Sequence, residues 1–245
     1  MKRFLILIVL LTFIQSALFA QTKNSAKPET GYKPFKNGKT FAAGIKLSPN
    51  ISWMKPDAKG YESNGILFRP LTWGFMLDFQ FMDNYYISTG FDVRSCGGKL
   101  KYKDTIGGDI KSSGMMERTF KLRYVEIPLS FKMKTRQFGY ITYYGQIGFA
   151  AGFNLNADSD DEFTYGNAQI YKQEDKIKDN VAFMRLSMVL SAGMEYSLGG
   201  STSLFTGLTF NNGFTNILKG QSNVPPGVGL DAIGNSLELN IGIIF

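Results

Sequence analysis

The chain contains no histidine and a single cysteine. Without histidine there is no His-based catalytic triad, no imidazole general base and no His metal site. One cysteine permits neither an internal disulfide framework nor a Cys-cluster zinc site. Charged residues make up only 19% of the 245, against roughly 25% in ordinary soluble domains. Beyond the N-terminal stretch no run reaches the roughly 18 consecutive apolar residues of a helical span, which excludes a helical transporter. Present in excess are glycine (27 residues), aromatics (14%) and apolar residues overall (44%). That apolar content is too high for a disordered chain.

The N-terminus reads as a secretory signal over residues 1–20. Lys2 and Arg3 form a positive start, Phe4 to Ile14 an apolar core, and Leu18-Phe19-Ala20 a cleavage site. No cysteine follows it, so no lipoprotein is expected. Residues 21–39 are polar and read as a flexible periplasmic lead-in.

From residue 40 to 245 the hydrophobic pattern has period two in eight segments. In the first, Phe41, Ala43, Ile45, Leu47, Ile51 and Trp53 share one face, opposite Lys46, Ser48, Asn50 and Ser52. The outward residues of the others run from Leu71 to Phe81, Tyr85 to Val93, Val125 to Met133, Ile141 to Leu155, Met184 to Leu198, Leu204 to Phe210, and Leu237 to Phe245. Most exceed the length of ordinary soluble strands, about 5–6 residues, and match the roughly 9–11 of a tilted membrane strand. The polar faces are rich in Gly, Ser, Thr and Asn. Connections alternate: long at 55–67, 97–118, 157–180 and 212–234, short at 82–84, 135–138 and Gly199-Gly200. This is the rhythm of long outer loops and short periplasmic turns. The fold expected is all-β, an eight-stranded antiparallel up-and-down transmembrane β-barrel. Upstream of Val125, the residues Phe120, Leu122 and Tyr124 fall in the other phase, which suggests a β-bulge at Tyr124-Val125.

Aromatics sort into two girdles: Trp53, Trp73, Phe153 and Phe210 at the outer ends, and Phe41, Phe81, Tyr85, Phe131, Tyr143, Tyr196 and Phe245 at the inner ends. Terminal Phe245 is similar to the assembly signal of bacterial outer-membrane barrels. The inward faces carry Lys46, Arg94, Lys132 and Arg185 against Asp78, Asp92, Glu126, Glu195 and Glu238. Eight strands enclose a space that side chains just fill, so these charges are expected to pair and plug the lumen. An acid/base site built from paired carboxylates is the other reading.

Cys96 falls in the inward phase and reads as a buried thiol, with pairing between chains as the alternative. The run Asp158-Ser159-Asp160-Asp161-Glu162 reads as a solvated loop, and its oxygen ligands offer a divalent-cation site as the alternative. No recognition motif accompanies the formal charge of +7, so no nucleic-acid partner is expected. Basic residues at the rims are expected to meet outer-membrane lipid. No catalytic residue, metal site or cofactor is expected, since no GxSxG-type motif accompanies the missing histidine.

The stretch Leu122-Arg123-Tyr124-Val125-Glu126-Ile127-Pro128-Leu129 resembles the fourth strand of the PorT-like outer-membrane β-barrel family of Bacteroidetes. Tyr143-Tyr144-Gly145-Gln146-Ile147-Gly148 is similar to its fifth strand, and Ala43-Gly44-Ile45-Lys46 to its first. The resemblance implies the barrel fold and location in the bacterial outer membrane after export. It also implies the barrel assembly machinery as a partner in biogenesis and, through the founding member, components of type IX secretion. The function expected is that of a small plugged barrel with a structural or accessory role. A surface-loop binding protein and a narrow channel are the alternatives.

Overall fold

The structure, a computed structural model, describes residues 40–57, 60–105, 113–165, 168–219, 221–223, 226–229 and 231–245. The expected signal peptide and lead-in lie outside the described residues. The strands in chain order are β1 (Phe41–Pro56), β2 (Tyr61–Ser63), β3 (Leu67–Met82), β4 (Tyr85–Thr105), β5 (Ser113–Lys134), β6 (Ile141–Tyr165), β7 (Ala168–Lys176), β8 (Met184–Gly199), β9 (Thr202–Gly213), β10 (Gln221–Asn223), β11 (Pro226–Gly229) and β12 (Ala232–Ile244). Eight of them, β1, β3, β4, β5, β6, β8, β9 and β12, pair antiparallel in a ring that β1 and β12 close. Closure leaves no sheet edge in the hydrocarbon, where an unpaired amide has no partner.

Alternation builds this wall because successive side chains point to opposite faces. Leu47, Phe75, Leu129, Phe149, Leu208 and Ile241 are exposed on the outer face, while Ser48, Asp78, Lys132, Asn211 and Glu238 are buried within. The periplasmic turns are tight. Asn84 takes a positive φ of 69°, and Gly199 and Gly200 take 100° and 61°, a backbone region glycine enters without steric cost. Phe245 exchanges two backbone hydrogen bonds with Ala43 across the closing seam.

Proline inside a closed sheet needs a gap in a ladder. At Pro128 the β5–β6 ladder is continuous, but the β4–β5 register passes from Thr89↔Leu129 to Asp92↔Glu126 with no pairs between. The gap replaces the edge or bulge expected of such a proline. The Thr89 hydroxyl donates to the Pro128 carbonyl at 2.8 Å and stitches the wall there.

The stretches expected as outer loops are largely sheet. β4 and β5 stay in register from Tyr85↔Met133 up to Thr105↔Ser113. β6 runs on to Tyr165 and returns as β7, while β2 adds to the other side of β4. Above the apolar band the polarity of the two faces exchanges. The outer face of β4 becomes Lys99, Lys101 and Lys103, and the inner face becomes Cys96, Leu100 and Tyr102, all buried. Outside the bilayer the dry side is the inside, so the same alternation serves an ordinary apolar core.

That exchange corrects the expected bulge. In β5 the residues Phe120, Leu122, Tyr124, Glu126, Ser130 and Lys132 all face inward and are buried, so its phase never breaks. The bulge is on β6: Arg123 pairs with Asn156 and Tyr124 with Asn154, leaving Leu155 as the extra residue. The girdles are corrected in part. Phe81, Tyr85 and Phe131 cluster at the periplasmic end. Trp73, however, pairs with Leu47 well below the top of β1 and packs in mid-band against Phe75 and Phe91. Strand tilt separates position along a strand from height in the membrane.

Candidate functional site

The lumen holds two ion-pair clusters. The lower one lies beside the periplasmic turns. Lys132 Nζ is 2.7 Å from Asp78 Oδ2 and 3.0 Å from Glu195 Oε1. Lys134 Nζ reaches Glu195 Oε2 at 2.9 Å and Asp78 at 3.7 Å. Tyr144 and Tyr86 present their ring faces to Lys132 and Lys134 at 4.6 and 4.5 Å, a favourable cation–π arrangement.

The upper cluster joins β1, β4, β5, β8 and β12. Lys46 pairs with Asp92 at 2.8 Å. Arg94 bridges Glu126, at 2.7 Å, and Glu238, and donates to Ser236 at 2.9 Å. Arg185 reaches the other oxygen of Glu126 at 3.2 Å, donates to Asn211 at 2.6 Å and lies over the Tyr124 ring. A polar belt lies between the clusters: Ser48 donates to Asn240, Asn240 donates to Thr209, and Thr209 meets Ser191. A cavity of about 50 Å³ remains beside it, lined among others by Asp92, Gln146, Ser191 and Asn240.

All nine sequence-derived lumen charges therefore sit in these two clusters. Lys134 completes them and gives five cations against five carboxylates. It stands two positions after Lys132 on the same inward face, so alternation was the signal that finds it. The three lumen tyrosines had no such signal, because an aromatic on a polar face reads as an irregularity.

Above the upper cluster begins the apolar core. Leu100, Tyr102, Met116, Phe120, Leu122 and Phe163 line the inner face of the extended sheet. Two connecting segments cover them. Val181 pairs with Leu218, Ala182 bonds to Ile217, and Ile217 bonds to Ala232. Ile177, Val181, Ile217 and Leu218 are thereby buried against the sheet. Burial pushes the Tyr102 hydroxyl above the ordinary phenol range. Cys96 marks the boundary: it is free and buried, and Arg185 Nη1 stands 3.4 Å from its sulfur.

The acidic run Asp158–Glu162 is a stretch of β6, not a loop. Asp161 points inward to Arg118, Asp160 takes Lys121 at 2.7 Å, and Glu162 takes Lys172 at 2.6 Å. Alternate carboxylates face opposite sides and each of these three has a cationic partner. Among the described residues no cluster fit to hold a metal ion occurs.

A family model described as "Outer membrane protein beta-barrel domain" matches residues 19–219. Among solved structures the chain is similar to Neisserial surface protein A, with 10% identity, 84% of this chain and 96% of that chain covered, and a TM-score of 0.44. It is also similar to Ail, the attachment invasion locus protein of Yersinia pestis, with 12% identity, coverage of 84% and 100%, and a TM-score of 0.37. OprG from Pseudomonas aeruginosa gives 10% identity, coverage of 83% and 94%, and a TM-score of 0.39. At these values the likenesses carry no functional argument. A comparison with curated proteins finds no match.

Proposed function

Because the chain belongs to the outer membrane protein beta-barrel domain family and resides in the bacterial outer membrane, we propose that it serves there as a sealed, non-enzymatic accessory barrel. One observation carries this reading: the lumen is crossed by two charge-neutral ion-pair clusters and capped by a buried apolar core. Each ion would have to lose its partner before another ion could pass, and a buried charge left unpaired is costly. The surface free to act is then the extracellular sheet β2-β4-β5-β6-β7 with its charged outer face. Planar-bilayer recording of the purified protein tests the sealing. No conductance steps are expected, and steps of defined size would overturn it.

The narrower reading, service to type IX secretion, rests only on the family resemblance of Leu122–Leu129, Tyr143–Gly148 and Ala43–Lys46. Deletion followed by comparison of the exported proteins tests it. Loss of cargo export supports the reading, and unchanged export removes it.

A further inference from the structure

Arg123 occupies an unusual place on the outer wall. It is exposed, and among the described residues no carboxylate pairs with it. Directly below it on the same face stands Val125, part of the apolar band. Directly above stands Lys121, and Lys99 follows diagonally on β4. The residues opposite Arg123 and Lys121 across β4 are Ser95 and Gly97; the Leu67 side chain covers Gly97, while Ser95 leaves only a small side chain beside Arg123.

The bulge supplies the other half of the arrangement. Leu155 is the extra residue of β6 beside Arg123, and it is extruded, 47% exposed, on the outer face. Phe153 stands below it against Phe183. A bulge re-aims a side chain, and this one sets an apolar shelf next to an unpaired guanidinium at the outer boundary of the membrane. Among the described residues the outer face of β4 and β5 above this point carries Lys99, Lys101, Lys103, Lys121 and Arg123 against Glu117, which stands 3.7 Å from Lys99. The acids of neighbouring β6 are engaged: Asp160 by Lys121, Glu162 by Lys172, and Asp158 by the Asn156 amide.

We propose that Arg123, with Lys121 and Lys99 above it and Leu155 beside it, binds the headgroup phosphate of an anionic lipid in the outer leaflet. Guanidinium matches a phosphate with two parallel hydrogen bonds. The exposed Leu155 and the half-buried Phe153 lie where the acyl chain of that lipid descends. Charge, height and an apolar neighbour together select a lipid over a soluble anion, which has no use for the shelf.

Native mass spectrometry of the purified full-length barrel, mixed with phosphatidylglycerol or phosphatidylcholine in detergent, tests the site. The wild type is expected to retain phosphatidylglycerol preferentially, and added salt to reduce that preference. Arg123→Ala is expected to lower retention about tenfold, the equivalent of one charge-assisted contact, while Arg123→Lys keeps part of it. Leu155→Asn is expected to weaken lipid retention as well. Each variant is first shown to be folded by its heat-modifiable migration. Equal retention of both lipids by the wild type would overturn the site without reference to any variant. So would undiminished retention in Arg123→Ala, or displacement of the lipid by inorganic phosphate at equal concentration, which would mark a site for free anions.

Discussion

The ammonium of Lys132 lies 2.7 Å from the carboxylate of Asp78, with side chains 0% and 1% exposed. The two residues come from β5 and β3, which are not neighbours in the wall; β4 runs between them. The pair therefore fastens the barrel across its interior as well as along its ladders. Removing one partner leaves an uncompensated buried charge, which costs about 3–5 kcal/mol. Lys132→Met is expected to destabilise the refolded barrel by that order in urea titrations. The double change Lys132→Met with Asp78→Leu leaves Lys134 and Glu195 still paired at 2.9 Å and is expected to recover most of the loss. A double variant as unstable as the single would refute the pairing argument.

Two clusters in series make a prediction that one cluster would not. Lys132→Ala with Lys134→Ala opens the periplasmic cluster but leaves Arg94 and Arg185 locked on Glu126. No conductance is expected from that variant. With Arg94→Ala and Arg185→Ala added, the Lys46–Asp92 pair and the apolar core are the last obstacles, and single-channel recordings should show the first brief steps, carried by cations because Asp78, Glu126, Glu195 and Glu238 are then unpaired. Conductance from the lower double variant would show that the upper cluster does not seal.

The apolar core above the membrane can be read through Tyr102. Burial raises its hydroxyl above the ordinary value of 10.0. A group held neutral in the fold gives stability that is complete below its unfolded value and is lost as pH rises toward the folded one. Absorbance at 295 nm, taken as the difference between wild type and Tyr102→Phe, should show no tyrosinate from this residue at about pH 11, one unit above a free phenol. In the same range the extracellular sheet of the wild type should become more sensitive to protease, and that of Tyr102→Phe should not. A normal titration of Tyr102 would mean that the core is wet.

Glycine crowding inside the lumen is testable at Gly207. A methyl group added there would stand 2.7 Å from the Ala192 carbonyl oxygen and closer still to the Tyr144 hydroxyl. The first is backbone and cannot give way, while the second can be removed. Gly207→Ala is expected to cost about 1–3 kcal/mol, and less in a Tyr144→Phe background. A double-mutant cycle of unfolding free energies measures the coupling, and a coupling of zero would place Tyr144 elsewhere.

Much of this molecule was legible in its residues. Alternation, connection rhythm and inward charges defined the eight strands and the nine ionic side chains, because each depends only on period two and on sign. The upper third was not legible for a physical reason. Phe120, Leu122 and Tyr124 looked out of phase because a constant polarity code was applied across a change of solvent. In the membrane apolar means outside; above it apolar means inside. The same change hid the strand extensions, so lysine-rich and aspartate-rich stretches read as loops although they alternate as regularly as the strands below. Trp73 was misplaced because height depends on tilt, which no single strand records.

The bulge at Leu155 is where this reading can be broken most directly. Below it the inward residues of β6 are even-numbered, such as Tyr144, Ala150 and Asn154; above it they are Ala157, Ser159, Asp161 and Phe163, all buried. Deleting Leu155 removes only the extra residue: Asn154 stays inward, Asn156 takes the outward place beside Arg123, and Ala157, Ser159, Asp161 and Phe163 still face inward. The pairs Arg123↔Asn156 and Tyr124↔Asn154 then follow one another without a gap. The single deletion is therefore expected to leave a folded, heat-modifiable barrel whose extracellular sheet resists added protease as the wild type does. Deleting Leu155 together with Asn156 removes one residue too many. A one-residue slip turns every side chain to the opposite face, putting Asp158, Asp160 and Glu162 toward the apolar core and Phe163 into water. That variant is expected to keep its heat-modifiable barrel and to lose the extracellular sheet to protease. A single deletion as sensitive as the double would show that Leu155 is not the surplus residue of the ladder.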